Sequence, residues 1–307
     1  LETPADGTTQ SGLTADAGAH VGFNKEGAVS FQIEDRIQRT NEPPAVPTDF
    51  AYNRTMNRLG GTLGVHPGGK VLQHYLSYDW NVILHDRLVD LNRQIHDFTL
   101  KNYWRFLPKT AATVSVDYSM IRYTESTRAG IFTNTDSNPL RITGGLTGLI
   151  TNRLSLRVLA GWGIGFYEAG ESFSGLLTDL QAAYAFGPRA AEANRIYLGY
   201  QRDFQDSTIS NFASYHRPYA GYEQRLVGDR LKLDIRADAM LRSYAGSPVG
   251  EFDSGAGTTV TIEDELRDLI FRGSAGLDYN LYRWWTLSAA YHYTANFTDD
   301  VIVSSVP

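Results

Sequence analysis

The sequence predicts an all-β protein: a transmembrane, antiparallel up-and-down β-barrel with about fourteen strands in its 307 residues. Three observations predict it. Apolar and polar residues alternate with period two in run after run, which puts them on opposite faces of a pleated strand. These runs reach about 11–14 residues, against about 5–6 for strands of soluble sheets and 9–11 for strands that cross a hydrocarbon core. The connections alternate between short and long, as the two ends of an outer-membrane barrel do. No run of about eighteen apolar residues exists, so a transmembrane helix is excluded while strands are not.

The strands follow in order. In 13–23, Leu13, Ala15, Ala17, Ala19, Val21 and Phe23 oppose Thr14, Asp16, Gly18, His20 and Gly22. After the turn Asn24-Lys25-Glu26-Gly27, 28–39 projects Glu34 and Arg36; Asp35 breaks its apolar row and is placed near an interface or at a bulge. The run 54–65 carries Arg58. The turn His66–Lys70 leads to 71–84, where Leu72, Leu76, Tyr78, Trp80, Val82 and Leu84 oppose Gln73, Ser77, Asp79 and Asn81, with His74 out of pattern. The run 94–106 projects Asp97 and Lys101, and Leu107-Pro108-Lys109 turns into 110–123, where Val114, Val116, Tyr118 and Met120 oppose Thr113, Ser115, Asp117 and Ser119. Next come 139–150 with Arg141, and 154–167, whose apolar row runs from Leu154 to Phe166 beside Arg157. Then follow 175–186 with Asp179, 195–205 with Asp203, and 211–226, the weakest because Pro218 interrupts it. The clearest is 231–244: Leu231, Leu233, Ile235, Ala237, Ala239 and Leu241 against Lys232, Asp234, Arg236, Asp238 and Arg242. The last two are 266–279, with Arg272 and Asp278, and 285–297.

All 307 residues read as one barrel domain, with 1–12 and 298–307 as loop or terminal segments. The chain starts at Leu1 without Met, so the lack of a signal sequence says nothing about compartment. With short turns in the periplasm, the first strand runs inward and the last outward. Single-chain barrels place both termini in the periplasm, so one more strand is expected at each end and about sixteen or more in the intact ring.

Charge follows the loops. The short turns carry Lys25, Lys70, Lys109, Arg153, Arg189, Arg230 and Arg283. The long ones lean acidic, with Glu42, Asp49, Glu125, Asp136, Glu168, Glu171, Glu251, Asp253, Glu263, Asp264 and Glu265. Aromatics near strand ends suggest two interfacial girdles. Phe23, Trp104, Phe106, Tyr184, Phe186, Tyr279, Trp284 and Trp285 lie on the short-turn side, and Tyr123, Phe166, Tyr167, Phe204, Tyr244 and Phe297 on the other.

In a barrel the polar faces line the lumen, because a charge facing lipid costs about 2–4 kcal/mol at the midplane. The lumen-lining candidates are Arg36, Arg58, Asp79, Asp97, Lys101, Asp117, Arg141, Arg157, Lys232, Asp234, Arg236, Asp238, Arg242 and Arg272. Both signs are interleaved, which suits polar solutes better than one selected ion. Gly161, Gly163 and Gly165 form a stripe free of side chains, expected to serve strand curvature, with room for a ligand or an inward-folded loop as the alternative.

Other motifs weigh against chemistry. Gly64–Val71 nearly fits a phosphate-binding loop but has Val71 where Ser or Thr is required, and it precedes a strand. His85-Asp86 and His96-Asp97 lack an accompanying nucleophile motif, so no catalytic residue is assigned and no enzyme activity is expected. With no Cys, thiolate metal sites are excluded; no cofactor or metal is expected. A net charge of -6 argues against nucleic acid as partner. The expected partners are the lipid bilayer and lipopolysaccharide of a bacterial outer membrane.

The stretch from Arg58 to Tyr123, with His66-Pro67-Gly68, Tyr75–Trp80, His96–Trp104 and Arg105-Phe106-Leu107-Pro108-Lys109-Thr110, is followed by Gly148–Leu156, Tyr197–Phe204 and Gly221–Leu233. This order resembles the outer-membrane β-barrel porin family found with exopolysaccharide synthesis and secretion operons, over about two thirds of the chain by turn-and-strand pattern. The resemblance implies passage of a polysaccharide and periplasmic polysaccharide-export partners, and carries over no catalytic residue. The residues themselves show only a polar, mixed-charge lumen. Rival readings are a non-conducting structural or assembly barrel closed by loops such as Ala245–Glu265, a hydrolase at the rim, and a soluble sandwich. The want of a plug segment ahead of the strands argues against a siderophore transporter, and the want of a passenger against an autotransporter.

Overall fold

A computed structural model describes residues 14–25, 27–40, 53–68, 71–86, 89–124, 128–129, 132–133, 135–187, 194–207, 210–226, 230–245, 250–253, 258–282 and 285–305, without the side chains of 90, 128–133, 250–265 and 298–305. The expectations for Lys70, Arg189, Arg283, Trp284, Glu42, Asp49, Glu125, Glu251, Asp253, Glu263, Asp264 and Glu265 lie outside the described side chains.

Fourteen long strands make one sheet. They are β1 (Ala15–Phe23), β2 (Val29–Thr40), β3 (Arg54–Val65), β4 (Leu72–His85), β5 (Arg93–Leu107), β6 (Thr110–Tyr123), β9 (Ser137–Leu149), β10 (Leu154–Tyr167), β11 (Phe173–Phe186), β12 (Asn194–Asp206), β13 (Phe212–Leu226), β14 (Leu231–Ser243), β16 (Thr258–Tyr282) and β17 (Trp285–Ser305). The short pieces are β7 (Arg128–Ala129) and β8 (Phe132–Thr133), which pair with each other, and β15 (Gly250–Asp253), which pairs with β16. Each long strand pairs antiparallel with its sequence neighbours, the up-and-down barrel order. Among the described residues, β1 and β17 each use one edge only.

The strands match the alternation closely because period two is a local property of an extended backbone. The largest difference is at β16 and β17, which run past the expected 266–279 and 285–297 into a long hairpin. The reason is local: Val301-Ile302-Val303 pairs with Val260-Thr261-Ile262, and β-branched residues favour strands. The doubtful run around Pro218 is also a strand. β13 pairs with β12 through it, while its register with β14 passes from His216↔Leu241 to Tyr219↔Asp238 with no partner for Pro218, which has no N–H to give.

One face of the sheet is apolar and open to the surroundings. Leu198 and Leu287 are 62% and 63% exposed, and Ile37, Leu76, Leu146, Val158 and Trp162 share that face. The other is polar and concave. Arg157 on β10 donates to the Tyr219 hydroxyl on β13 at 3.3 Å, across the two strands between them. A dry core of the soluble kind is not what holds the wall together: ladders and cross-strand pairs do. Asp35 sits on the apolar face in an unbroken register, without a bulge, where Asn57 Nδ2 donates to it at 3.0 Å.

A lipid-facing surface makes a testable demand. Leu198→Arg is expected to cost about 2–4 kcal/mol in urea unfolding from bilayers. Gln32→Arg, on the concave face, should stay within about 0.5 kcal/mol. Equal effects would count against the membrane orientation.

Candidate functional site

Every charged candidate from the sequence falls on the concave face, and the register shows why. Arg36 stands opposite Arg58, Asp79 opposite Asp97, Asp117 opposite Arg141, Lys232 opposite Asp278 and Asp238 opposite Arg272. Most are paired. Arg36 binds Asp16; Arg58 binds Asp79 at 3.0 Å; Arg157 binds Asp179 at 3.0 Å; Arg236 binds Asp234 at 2.8 Å. Arg217 and Arg272 share Asp238 at 3.2 and 2.9 Å. Asp97 accepts from Asn81 and Ser119, and Asp117 from Thr99 and Ser115. Lys101 is exposed on the same face.

Arg242 needs a correction. Expected on an open lumen surface, it is 1% exposed. Tyr244 stacks on its guanidinium at 5.4 Å, and Asp268, fully buried, takes both the Arg242 fork and the Tyr244 hydroxyl. Ala213, Tyr244 and Leu266 form a dry cluster at this end of β14 and β16.

A second dry cluster lies beside it. β12 pairs with β11 only as far as Arg202. Beyond that point the end of the β12–β13 hairpin folds over the concave face. Phe204 stacks on Phe173 at 4.1 Å, and Phe212 meets Phe173 edge-on. Leu177, Tyr167 and Ala245 complete the cluster. Polar anchors reach further round the wall. Arg141 on β9 donates to Asp203 at 2.9 Å, and Tyr123 on β6 donates to Asp206 at 2.7 Å. Arg93 on β5 lies 3.7 Å from Asp206. Asn211 donates to the Ala169 and Glu171 carbonyls in the β10–β11 loop. The hairpin is thus tied across β5 to β11 at the long-loop end.

The glycine stripe divides between both expectations. A Cβ on Gly161 would run into the Ile142 backbone, so this glycine allows close strand approach and curvature. A Cβ on Gly163 would come within 2.6 Å of the Phe204 ring, and one on Gly165 within 2.8 Å of Tyr167. These two make room for the inward-folded hairpin, the outcome set second from sequence. The outer girdle is corrected accordingly. Phe166 and Phe297 face out, but Tyr123, Phe204 and Tyr244 are buried inside. On the short-turn side Phe23, Trp104, Phe106, Tyr184 and Trp285 are exposed as expected.

Below the hairpin the concave face holds a pocket of about 430 Å³ between β10 and β14. Of the sequence candidates only Arg157, Arg236 and Asp238 line it; Arg195, Tyr197, Arg217, Tyr219 and Glu223 were missed. A signal existed. Arg195-Ile-Tyr197-Leu-Gly199 and Arg217-Pro-Tyr219-Ala-Gly221 repeat one pattern on adjacent strands. Antiparallel pairing sets Tyr197 opposite Gly221 and Tyr219 opposite Gly199. The phenol end of each tyrosine covers the facing glycine, where a Cβ would overlap it. The rings therefore lie along the wall, with Arg195 and Arg217 stacked on them at 5.7 and 5.9 Å.

His85 and His96 do not converge. His96 meets the Tyr78 hydroxyl at 2.8 Å on the apolar face, while His85 lies buried at the end of β4, its N–H donating to Asn92. Among the described residues no group of three or more His, Asp or Glu has the arrangement of a metal site.

No family model matches the chain. No curated protein matches it either. Solved structures do. The Pseudomonas aeruginosa receptor FpvA with a heterologous pyoverdine matches with TM-score 0.54 and 9% identity, over 93% of this chain and 49% of that one. The alcaligin outer-membrane receptor FauA of Bordetella pertussis matches with TM-score 0.52 and 12% identity, over 92% and 53%. FpvA of P. aeruginosa PAO1 bound to pyoverdine gives 0.51 and 10%, over 94% and 55%. The fold is that of outer-membrane β-barrels. The chain spans about half the length of these structures. At such identities the likeness is one of fold alone; the matched proteins are FpvA, a pyoverdine receptor, and FauA, an alcaligin receptor.

Proposed function

We propose that the chain forms the wall of a channel in a bacterial outer membrane, in contact with lipid and lipopolysaccharide, and that its cargo is a polar solute, an exopolysaccharide on its way out. The observation that supports this best is the two-faced sheet: an apolar belt outside and a continuous mixed-charge surface inside. The charged residues from Arg36 to Arg272 named above, Arg242 excepted, would line the path, and periplasmic polysaccharide-export proteins would deliver the polymer. An unpaired strand edge is not tolerated in hydrocarbon, so the edges of β1 and β17 that have no partner among the described residues must pair, with each other or with further strands. A ring larger than these fourteen strands, with a water-filled lumen, fits the partial span of the matched barrels.

The test is conductance of the purified protein in planar bilayers. A defined open level that added polysaccharide blocks is the expected result. Silence would sink the channel and favour the second reading, a closed structural barrel, which the hairpin packed over the concave face supports. Block by a ferric siderophore instead of polysaccharide would replace the cargo and keep the channel.

A further inference from the structure

We propose that the pocket built by Tyr197 and Tyr219 is a binding station for an uncharged sugar unit. It rests on the polysaccharide reading above and narrows it. The pocket's 430 Å³ falls within the range of small-molecule sites. Each of its arginines already touches a carboxylate. Arg157 holds Asp179, Arg195 holds Glu223 at 2.7 Å, Arg217 holds Asp238 and Arg236 holds Asp234. An anionic group would meet these carboxylates as like charges, Asp238 among them, which Arg217 shares with Arg272. A hydroxyl has no such conflict, since it donates to a carboxylate oxygen with one end and accepts a guanidinium N–H with the other.

Two further features fit that ligand. The Nε atoms of Arg157 and Arg217 are buried and have no acceptor within the protein; a buried donor of this kind calls for a partner. Gln181 and Gln201 add neutral donors and acceptors on the wall between them. The tyrosines lie against the wall over Gly199 and Gly221, so they line the pocket without blocking the passage. Ion pairs, amides and tyrosines together match a ligand rich in hydroxyls and free of net charge.

Calorimetric titration of the full chain in detergent, with a neutral glucose oligosaccharide and a uronate oligosaccharide of equal length, tests this. The neutral oligomer should bind, and more tightly than the uronate. Tyr219→Ala and Gln201→Ala should each weaken it by about tenfold, the loss of one well-placed contact. Gln201→Ala leaves the tyrosine–glycine packing in place, so it reports on binding even if Tyr219→Ala misfolds, which circular dichroism would reveal. Tighter binding of the uronate, no binding of either, or unchanged affinity in Gln201→Ala overturns the station. Conductance without neutral-sugar binding would leave the channel standing and remove only this site. Sugar binding without conductance would do the reverse.

Discussion

Asp268→Ala is expected to be among the most damaging single substitutions in the chain, at about 3–5 kcal/mol. The side chain is fully buried, accepts both arms of the Arg242 fork and also takes the Tyr244 hydroxyl. Removing it takes this carboxylate from a buried guanidinium and a buried phenol beside Ala213 and Leu266. Neither can reach water without opening the end of β14 and β16. The comparison that isolates burial is Asp234→Ala. Asp234 also pairs with an arginine, but Arg236 is 58% exposed and its charge remains solvated, so the cost should be at most about 1 kcal/mol. Urea midpoints in detergent, followed by tryptophan fluorescence, separate the two. Similar midpoints for both variants would mean that the Arg242–Asp268 site is wet.

Phe204→Ala is expected to release the end of the β12–β13 hairpin. Phe204 is 1% exposed and joins Phe173, Leu177 and Phe212, and truncating a buried Phe costs about 3–5 kcal/mol. Apart from that cluster the hairpin end is held by its polar anchors Asp203, Asp206 and Asn211, since β12 has already parted from β11 at Arg202. The loss should therefore appear as local opening, with amide exchange rising steeply over 203–212 while β2 to β6 stay protected. Gly163→Val attacks the same contact from the other side, because its new side chain meets the Phe204 ring. The two changes share one contact, so their effects should fall short of additive when combined. In bilayers, the released hairpin should raise the conductance of the proposed channel. Additive effects, or exchange confined to other strands, would show that the hairpin is held by something other than this cluster.

The hairpin also shows where sequence reasoning stopped. Ile196, Leu198, Tyr200 and Phe204 continue a single outward row by parity, so Phe204 read as a girdle residue. The row holds one warning, Arg202, which faces His216 across the ladder at the last residue that pairs with β11. Here the charge falls where β12 parts from β11, and the residues beyond it turn inward. The pocket shows the same limit. Arg195 and Tyr197 sit on the polar side by parity, but their partnership with Tyr219 and Gly221 depends on which residue faces which.

Strand number, the faces of nearly every residue, the positions of the turns and the absence of a membrane-spanning helix were all determined by the sequence, because alternation is set residue by residue along an extended chain. Register, the departure of β12 from the wall, the burial of Arg242 and the tyrosine–glycine pocket were decided only in the tertiary structure. Each depends on contacts between strands that lie far apart in the chain, and a period-two pattern carries no record of such contacts.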